Sequence, residues 1–178
     1  GFLPKAMLNY LALMGWSHPE QKEIFSLNEF IEVFNLKDMQ AVGPVFDVKK
    51  LEWMNGEYIR NMTLNDLQIH ILEFYKTYEK KDLDVKLVEK TVPLIQERIK
   101  KYSEYYPMCQ FLFEKVTEYE IDLKIYHNLL QKVIAAIETI TDWSATSIGE
   151  SMQNVAKNEG VKNSEFYMML RVAITGRK

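Results

Sequence analysis

Two arginines stand directly behind strongly apolar segments: Arg98 after "TVPLIQE" and Arg171 after "FYMML". A guanidinium offers a rigid fork of N–H donors and no acceptor, so it suits planar, acceptor-rich partners. Turned inward or into a groove without such a partner, it would be costly. A solvated surface arginine is the commoner outcome of the same pattern. Between the two lies an aromatic run of Tyr102, Tyr105, Tyr106, Phe111 and Phe113. Such rings can stack on unpaired bases, although at helical spacing most of them belong in a core.

Other chemistries find no support. The single cysteine, Cys109, excludes an internal disulfide and a thiolate zinc cluster. His18, His70 and His127 are far apart and lack the paired spacing of a metal-binding helix, so no metal site is expected. Glycine loops that cradle phosphates and nucleophile-elbow contexts do not occur. Carboxylates such as Glu79 and Glu89 sit beside lysines on polar faces, which reads as solvated surface. No catalytic residue is expected.

The chain of 178 residues can build one good core or two small ones. Its apolar fraction is 47%, with no run approaching a membrane span of about 20 residues, and "AMLNYLALMGW" lacks the basic leader of a signal peptide. A water-soluble protein of a reducing, cytoplasmic compartment is expected. The net charge of −3 does not advertise nucleic acid. Local basic faces, however, track phosphates better than totals do.

The elements that must position these arginines read as helices throughout. Pro4 opens a first helix that stops near Gly15, and Ser26 with Glu29 has capping-box spacing before a short second one. "AVGPVFD" reads as a loop with Asp47 as N-cap, and only Pro44 to Phe46 hints at a strand. Leu51, Met54, Tyr58 and Met62 then trace a helical stripe. Thr63 and Asp66 reset the pattern, so a boundary is expected near 62. Asp84 caps "VKLVEKTVPLIQERIKKY", in which Pro93 predicts a kink or a restart. Ser103 is expected to cap "EYYPMCQFLF", and "EIDLKIYHNLLQKVIAAIETI" is the longest amphipathic run. Ser144 caps a helix reaching Gly160, and Asn163 or Ser164 caps the last. The class is all-α.

The segments "GFLPKAMLNYLALMGWS", "KEIFSLNEFIEVF", "PVFDVKKLEWMNGEYIR" and "LRVAITG" together resemble the C-terminal half of a bacterial-type glutamyl-tRNA synthetase. The resemblance implies a fragment of a helical-cage architecture: residues 1–62 end the stem-contact region, and 63–178 form the helical anticodon-binding region. A subdivision near 141 and truncation at the C-terminus are also expected. Catalysis, ATP and magnesium would belong to a domain upstream of this chain. The implied partner is a glutamate tRNA, held at its anticodon arm and lower stem by a monomer without membrane contact.

The resemblance also implies roles. The family reads the anticodon with arginines that correspond to Arg98 and Arg171, with Lys100, Lys101 and Arg60 as further RNA-contact candidates; Arg60 is equally suited to an internal ion pair. Glutamate and glutamine tRNAs differ in the last anticodon base, cytosine against guanine. Cytosine presents the acceptors O2 and N3 to a guanidinium, whereas guanine presents mainly donors there, so Arg98 is the candidate reader. Gln96 departs from the basic residue often found at its position. In "LEWMNGEYIR", Trp53 and Tyr58 are expected in the core, Asn55 bonded to an adjacent loop, and Gly56 beneath a closely approaching backbone. The rival reading is a helical protein-interaction scaffold, which the nine methionines permit.

Overall fold

The computed structural model describes residues 1–40, 43 and 45–178. Pro44 of the suggested strand, and Ala41, Val42 and Pro44 of the "AVGPVFD" loop, therefore lie outside the described residues; Val45 and Phe46 are not in a strand. Among the described residues every regular element is helical. Two compact units divide the chain, residues 1–109 and 110–178.

The first unit contains α1 (Pro4–Leu13), α2 (Leu27–Val33), α3 (Val48–Arg60), α4 (Leu64–Thr77), α5 (Val85–Ile95) and the start of α6 (Tyr105–Phe113). Caps written in the sequence set most of the starts. Asp47 accepts from the N–H groups of Lys49 and Lys50, Thr63 from Asp66 and Asp84 from Leu87. Ser26 accepts from the Glu29 N–H, but the Glu29 carboxylate turns to Lys22 instead of closing a box.

α5 does not restart at Pro93; the helix runs two residues past it and ends at Ile95. Proline removes one amide donor, and so near the C-terminus few later turns depend on it. Ser103 caps nothing. The entry to α6 is a short 3₁₀ turn, Tyr102–Glu104, where the Glu104 carboxylate reaches back to the N–H groups of Lys100 and Lys101.

Residues on either side of position 62 belong to one packed unit. Beneath α1 and α3 lies a core of Tyr10, Leu51 and Met54. Between α4 and α5, Leu67, Ile71, Val88 and Val92 are buried, and Tyr75 ties in the 3₁₀ turn by donating to the Ser103 carbonyl at 3.0 Å. Burial pushes the Tyr75 and Tyr105 hydroxyls up to about 12 and the Cys109 thiol up to about 11, so these groups stay neutral packing elements.

Asn55 explains the polar residue in the middle of α3. It is 0% exposed; its Oδ1 accepts from the Leu3 N–H at 2.7 Å and its Nδ2 donates to the Lys100 carbonyl. At neighbouring Gly56 the close approach comes from side chains. An added Cβ would meet the Arg60 guanidinium at 3.2 Å and Lys100 Cγ at 3.4 Å, with no backbone atom among its nearest contacts. Tyr58 is half-buried, its hydroxyl 2.7 Å from the Phe25 carbonyl and 2.9 Å from Asn9 Oδ1. Trp53, expected in the core, is 38% exposed because the buried stripe runs through Leu51, Met54, Asn55 and Ile59 on another face.

The second unit holds α7 (His127–Glu138), α8 (Ala145–Asn158) and α9 (Asn163–Thr175). The long run before residue 140 divides: Leu123–Tyr126 is a 3₁₀ turn capped by Asp122, and the α-helix begins at His127. Ser144 caps α8 as expected, whereas α9 starts after Lys162 with no side-chain cap. Val133, Met152, Ala156, Phe166 and Met169 make its core.

Asn55→Ala leaves the Leu3 N–H and the Lys100 carbonyl without partners and is expected to destabilise the chain by about 2–4 kcal/mol. Gly56→Ala adds helix propensity and displaces only side-chain atoms, so its change is expected to stay within about 1 kcal/mol. Urea unfolding of both variants measures the contrast.

Candidate nucleic-acid interface

Arg98 rides on the turn that closes α5. Its N–H donates to the Ile95 carbonyl at 2.8 Å, its side chain is exposed, and among the described residues no carboxylate lies within ion-pair distance of it. Buried amides grip this turn on both flanks. On one side Gln96 Nε2 donates to the carbonyls of Ile59 at 3.0 Å, Arg60 at 3.3 Å and Met62 at 2.9 Å, all at the C-terminus of α3. On the other side Asn55 holds the Lys100 carbonyl.

The cations around Arg98 differ in availability. Lys100 is exposed, and among the described residues its ammonium has no carboxylate partner. Lys101 is paired with Glu52 at 2.6 Å and with Glu104 at 3.6 Å. Its hydrogen bond to Glu52 pulls that carboxyl below its ordinary value and raises the lysine, so both stay charged. Arg60 is ion-paired with Glu57 one turn back on α3 and lies over Gly56. The internal ion pair, one of its two sequence readings, is formed. The aromatic run is mainly packing: Tyr102 and Tyr105 are buried, and Tyr106 is half-buried with Lys81 Nζ 3.5 Å from its ring centre.

Arg171 belongs to the second unit. On α9, Phe166, Met169 and Val172 face the core and Leu170 packs against it, which leaves Tyr167, Arg171 and Ile174 as a more exposed stripe. That stripe lines an open groove of about 560 Å³, completed by Ile134 and Ile137 of α7 and by Trp143. Among the described residues Arg171 is the only charged one lining it; the rest are apolar or aromatic. Gly176 ends α9 in a left-handed conformation, φ +79°, and an added Cβ would come within 2.6 Å of the Glu118 carbonyl oxygen. The glycine of "LRVAITG" therefore fixes the end of the helix that carries Arg171.

Trp143 escaped the sequence reading. It is 66% exposed on the turn before α8, where the Ser144 and Ser147 hydroxyls each donate to Asp142 at 2.7 Å. Those bonds hold the Asp142 carboxyl below its usual range. The legible signal was position: a large ring immediately before an N-cap serine has no helix face of its own to bury.

Residues 52–178 match the family described as anticodon binding domain. The chain belongs to that family. Arg60, Arg98, Lys100, Lys101 and Arg171 all fall inside the anticodon binding domain match. Residues 1–53 match the family described as tRNA synthetases class I (E and Q), catalytic domain. Relatives include glutamate–tRNA ligases of Clostridium botulinum strain Loch Maree, 34% identical over 188 residues, and of Dehalococcoides mccartyi, 33% over 190. Each covers 100% of this chain, which spans only 38% and 39% of the respective relative.

Among solved structures, a glutamate tRNA ligase from Elizabethkingia meningosepticum superposes with a TM-score of 0.81 at 26% identity, covering 99% of this chain and 36% of its own. The glutamate–tRNA synthetase of Elizabethkingia anophelis gives 0.77 at 26% identity, with the same coverage. The chain is thus similar to a part of these glutamate–tRNA ligases, and among its described residues every regular element is helical. The comparisons lend the scaffold alternative no support. No helix among the described residues is long and apolar enough to cross a membrane.

Pairing separates the two lysines experimentally. Lys100→Ala is expected to reduce the slope of log K against log salt for tRNA binding by about 0.7–0.9, the contribution of one phosphate contact. Lys101→Ala is expected to change that slope less and to lower the melting temperature, because it strands Glu52. Titrations at several salt concentrations, with thermal melts, check both.

Proposed function

We propose that this chain is the tRNA-binding part of a longer glutamate–tRNA ligase. It recognises the anticodon arm of the glutamate tRNA so that the catalytic domain of the longer protein, of which residues 1–53 match only a part, can attach glutamate. In this reading residues 1–62 end the stem-contact region and 63–178 contact the anticodon arm. The chain acts as a cytoplasmic monomer, and ATP and magnesium are bound by the parent's catalytic domain. No residue of this fragment performs chemistry.

Arg98 reads the last anticodon base, and Arg171 contributes a second contact. The observation that carries the reading is the exposed guanidinium of Arg98, without a carboxylate partner among the described residues, on a turn gripped from both sides by buried amides. An arginine without a carboxylate keeps its whole fork for a ligand, and a fixed backbone limits where that fork can reach. Cytosine's O2 and N3 accept from it; guanine's donors at the same edge oppose it. Base contacts of this bidentate kind discriminate by roughly 1–3 kcal/mol in DNA complexes. For Arg171, support comes from its place as the lone charge beside Trp143 and Tyr167 in an apolar groove, where an unstacked base could be sandwiched.

Filter-binding titration with two tRNA transcripts, identical except for C or G at the last anticodon position, tests the assignment. The parent sequence is expected to prefer C, with affinity falling as salt rises. Arg98→Gln is expected to bring the two affinities within about threefold, a residue of the 1–3 kcal/mol contact. An unchanged ratio removes Arg98 from the role.

A further inference from the structure

The side chain of Gln96 has no solvent role: it is buried and spends its amide on three carbonyls of another helix end. Those carbonyls, of Ile59, Arg60 and Met62, lie at the C-terminus of α3, where the helix dipole is negative and few acceptors have backbone donors; that of Ile59 also accepts from the Met62 N–H at 3.1 Å. Gln96 therefore caps α3 from a distance of more than thirty positions along the chain. Two residues further on is Arg98, and two beyond that is Lys100, whose carbonyl is held by Asn55. Glu104 adds a bond from the Lys100 N–H at 2.7 Å.

We infer that Gln96 is a positioning residue that sets the aim of Arg98 at the anticodon base, an inference that rests on the reading proposed above. The guanidinium of Arg98 is exposed, so the protein controls it only through the backbone position from which the side chain departs. Gln96 fixes one side of that departure point and Asn55 the other. A forked contact to a base edge needs donors placed within a few tenths of an ångström, roughly the tolerance of a built site. A phosphate contact is a point-charge attraction that tolerates looser placement. Releasing Gln96 from α3 should therefore erode base choice while leaving the phosphate-driven part of binding intact.

The test uses the 178-residue chain and the same pair of transcripts, with Gln96→Met, Gln96→Lys and Arg98→Gln compared with the parent. Methionine keeps the length and removes the donors. Lysine supplies three N–H donors for the three carbonyls, with a charge that suits a helix C-terminus. The expected result is a loss of about tenfold in the C-over-G affinity ratio for Gln96→Met, an unchanged salt slope, and a ratio within about twofold of the parent for Gln96→Lys.

A folded Gln96→Met chain that keeps the full ratio, while Arg98→Gln loses it, overturns the positioning role and leaves the reader assignment standing. If Arg98→Gln changes nothing, the reader assignment itself falls, and this inference with it. Should circular dichroism show Gln96→Met unfolded at the assay temperature, Gln96→Lys decides: a kept ratio supports the role, and a lost ratio or an unfolded chain overturns it.

Discussion

The buried amide of Asn55 is the constraint around which the first unit is organised. A carboxamide carries an acceptor and a donor on one rigid plane, and Asn55 uses both across large sequence separations, to the N–H of Leu3 and the carbonyl of Lys100. Neither partner lies in a helix interior, where it would be satisfied locally, so each needs an outside group once buried. An aspartate would lack the donor and an alanine both functions. The helix accepts a residue of poor propensity there because the cost of a few tenths of a kcal/mol is small beside two unpaired backbone groups. Gln96 repeats the device in the opposite direction, from the end of α5 to the end of α3.

These two amides also decide which charges remain for a ligand. Arg60 and Lys101 lie against α3 and are absorbed by Glu57 and by Glu52 with Glu104. Arg98 and Lys100 project from a segment whose N–H groups are bonded at Arg98 and Lys100, and they face solvent. A chain with a net charge of −3 can thus present an uncommitted basic segment, since pairing removes some cations from play and leaves others.

The second unit solves the same problem without buried amides. Its core of Val133, Met152, Phe166 and Met169 consumes one face of α9, and the opposite stripe sets Arg171 among Tyr167, Ile174 and Trp143. The rigidity of this end comes from Gly176, whose left-handed turn packs on the Glu118 carbonyl, and from a bond of the Thr175 hydroxyl to the Arg171 carbonyl at 2.8 Å. In both units an exposed arginine is held by what happens to the backbone beside it.

The features legible in the sequence are those decided within one helical turn. Asp47, Thr63, Asp84 and Ser144 announce their helices because a cap bonds an N–H only two or three residues away. The all-α class and the spacing of apolar stripes follow from the same short period. Ser103 looked like a cap and is not, since it lies inside a 3₁₀ turn in which its neighbour Glu104 takes the preceding N–H groups and Tyr75, from another helix, takes its carbonyl. Trp53 fell outside the core because α3 turns a different stripe inward.

By itself, then, the chain determined its helices, most of their starts, and the two arginines that stand behind apolar segments. Tertiary structure alone decided which cations are spent, how Gln96 and Asn55 frame Arg98, and that Trp143 is exposed beside Arg171. The physical reason is range. Those outcomes depend on groups 36 and 45 positions apart, or on separate helices, brought together by packing that no local periodicity encodes.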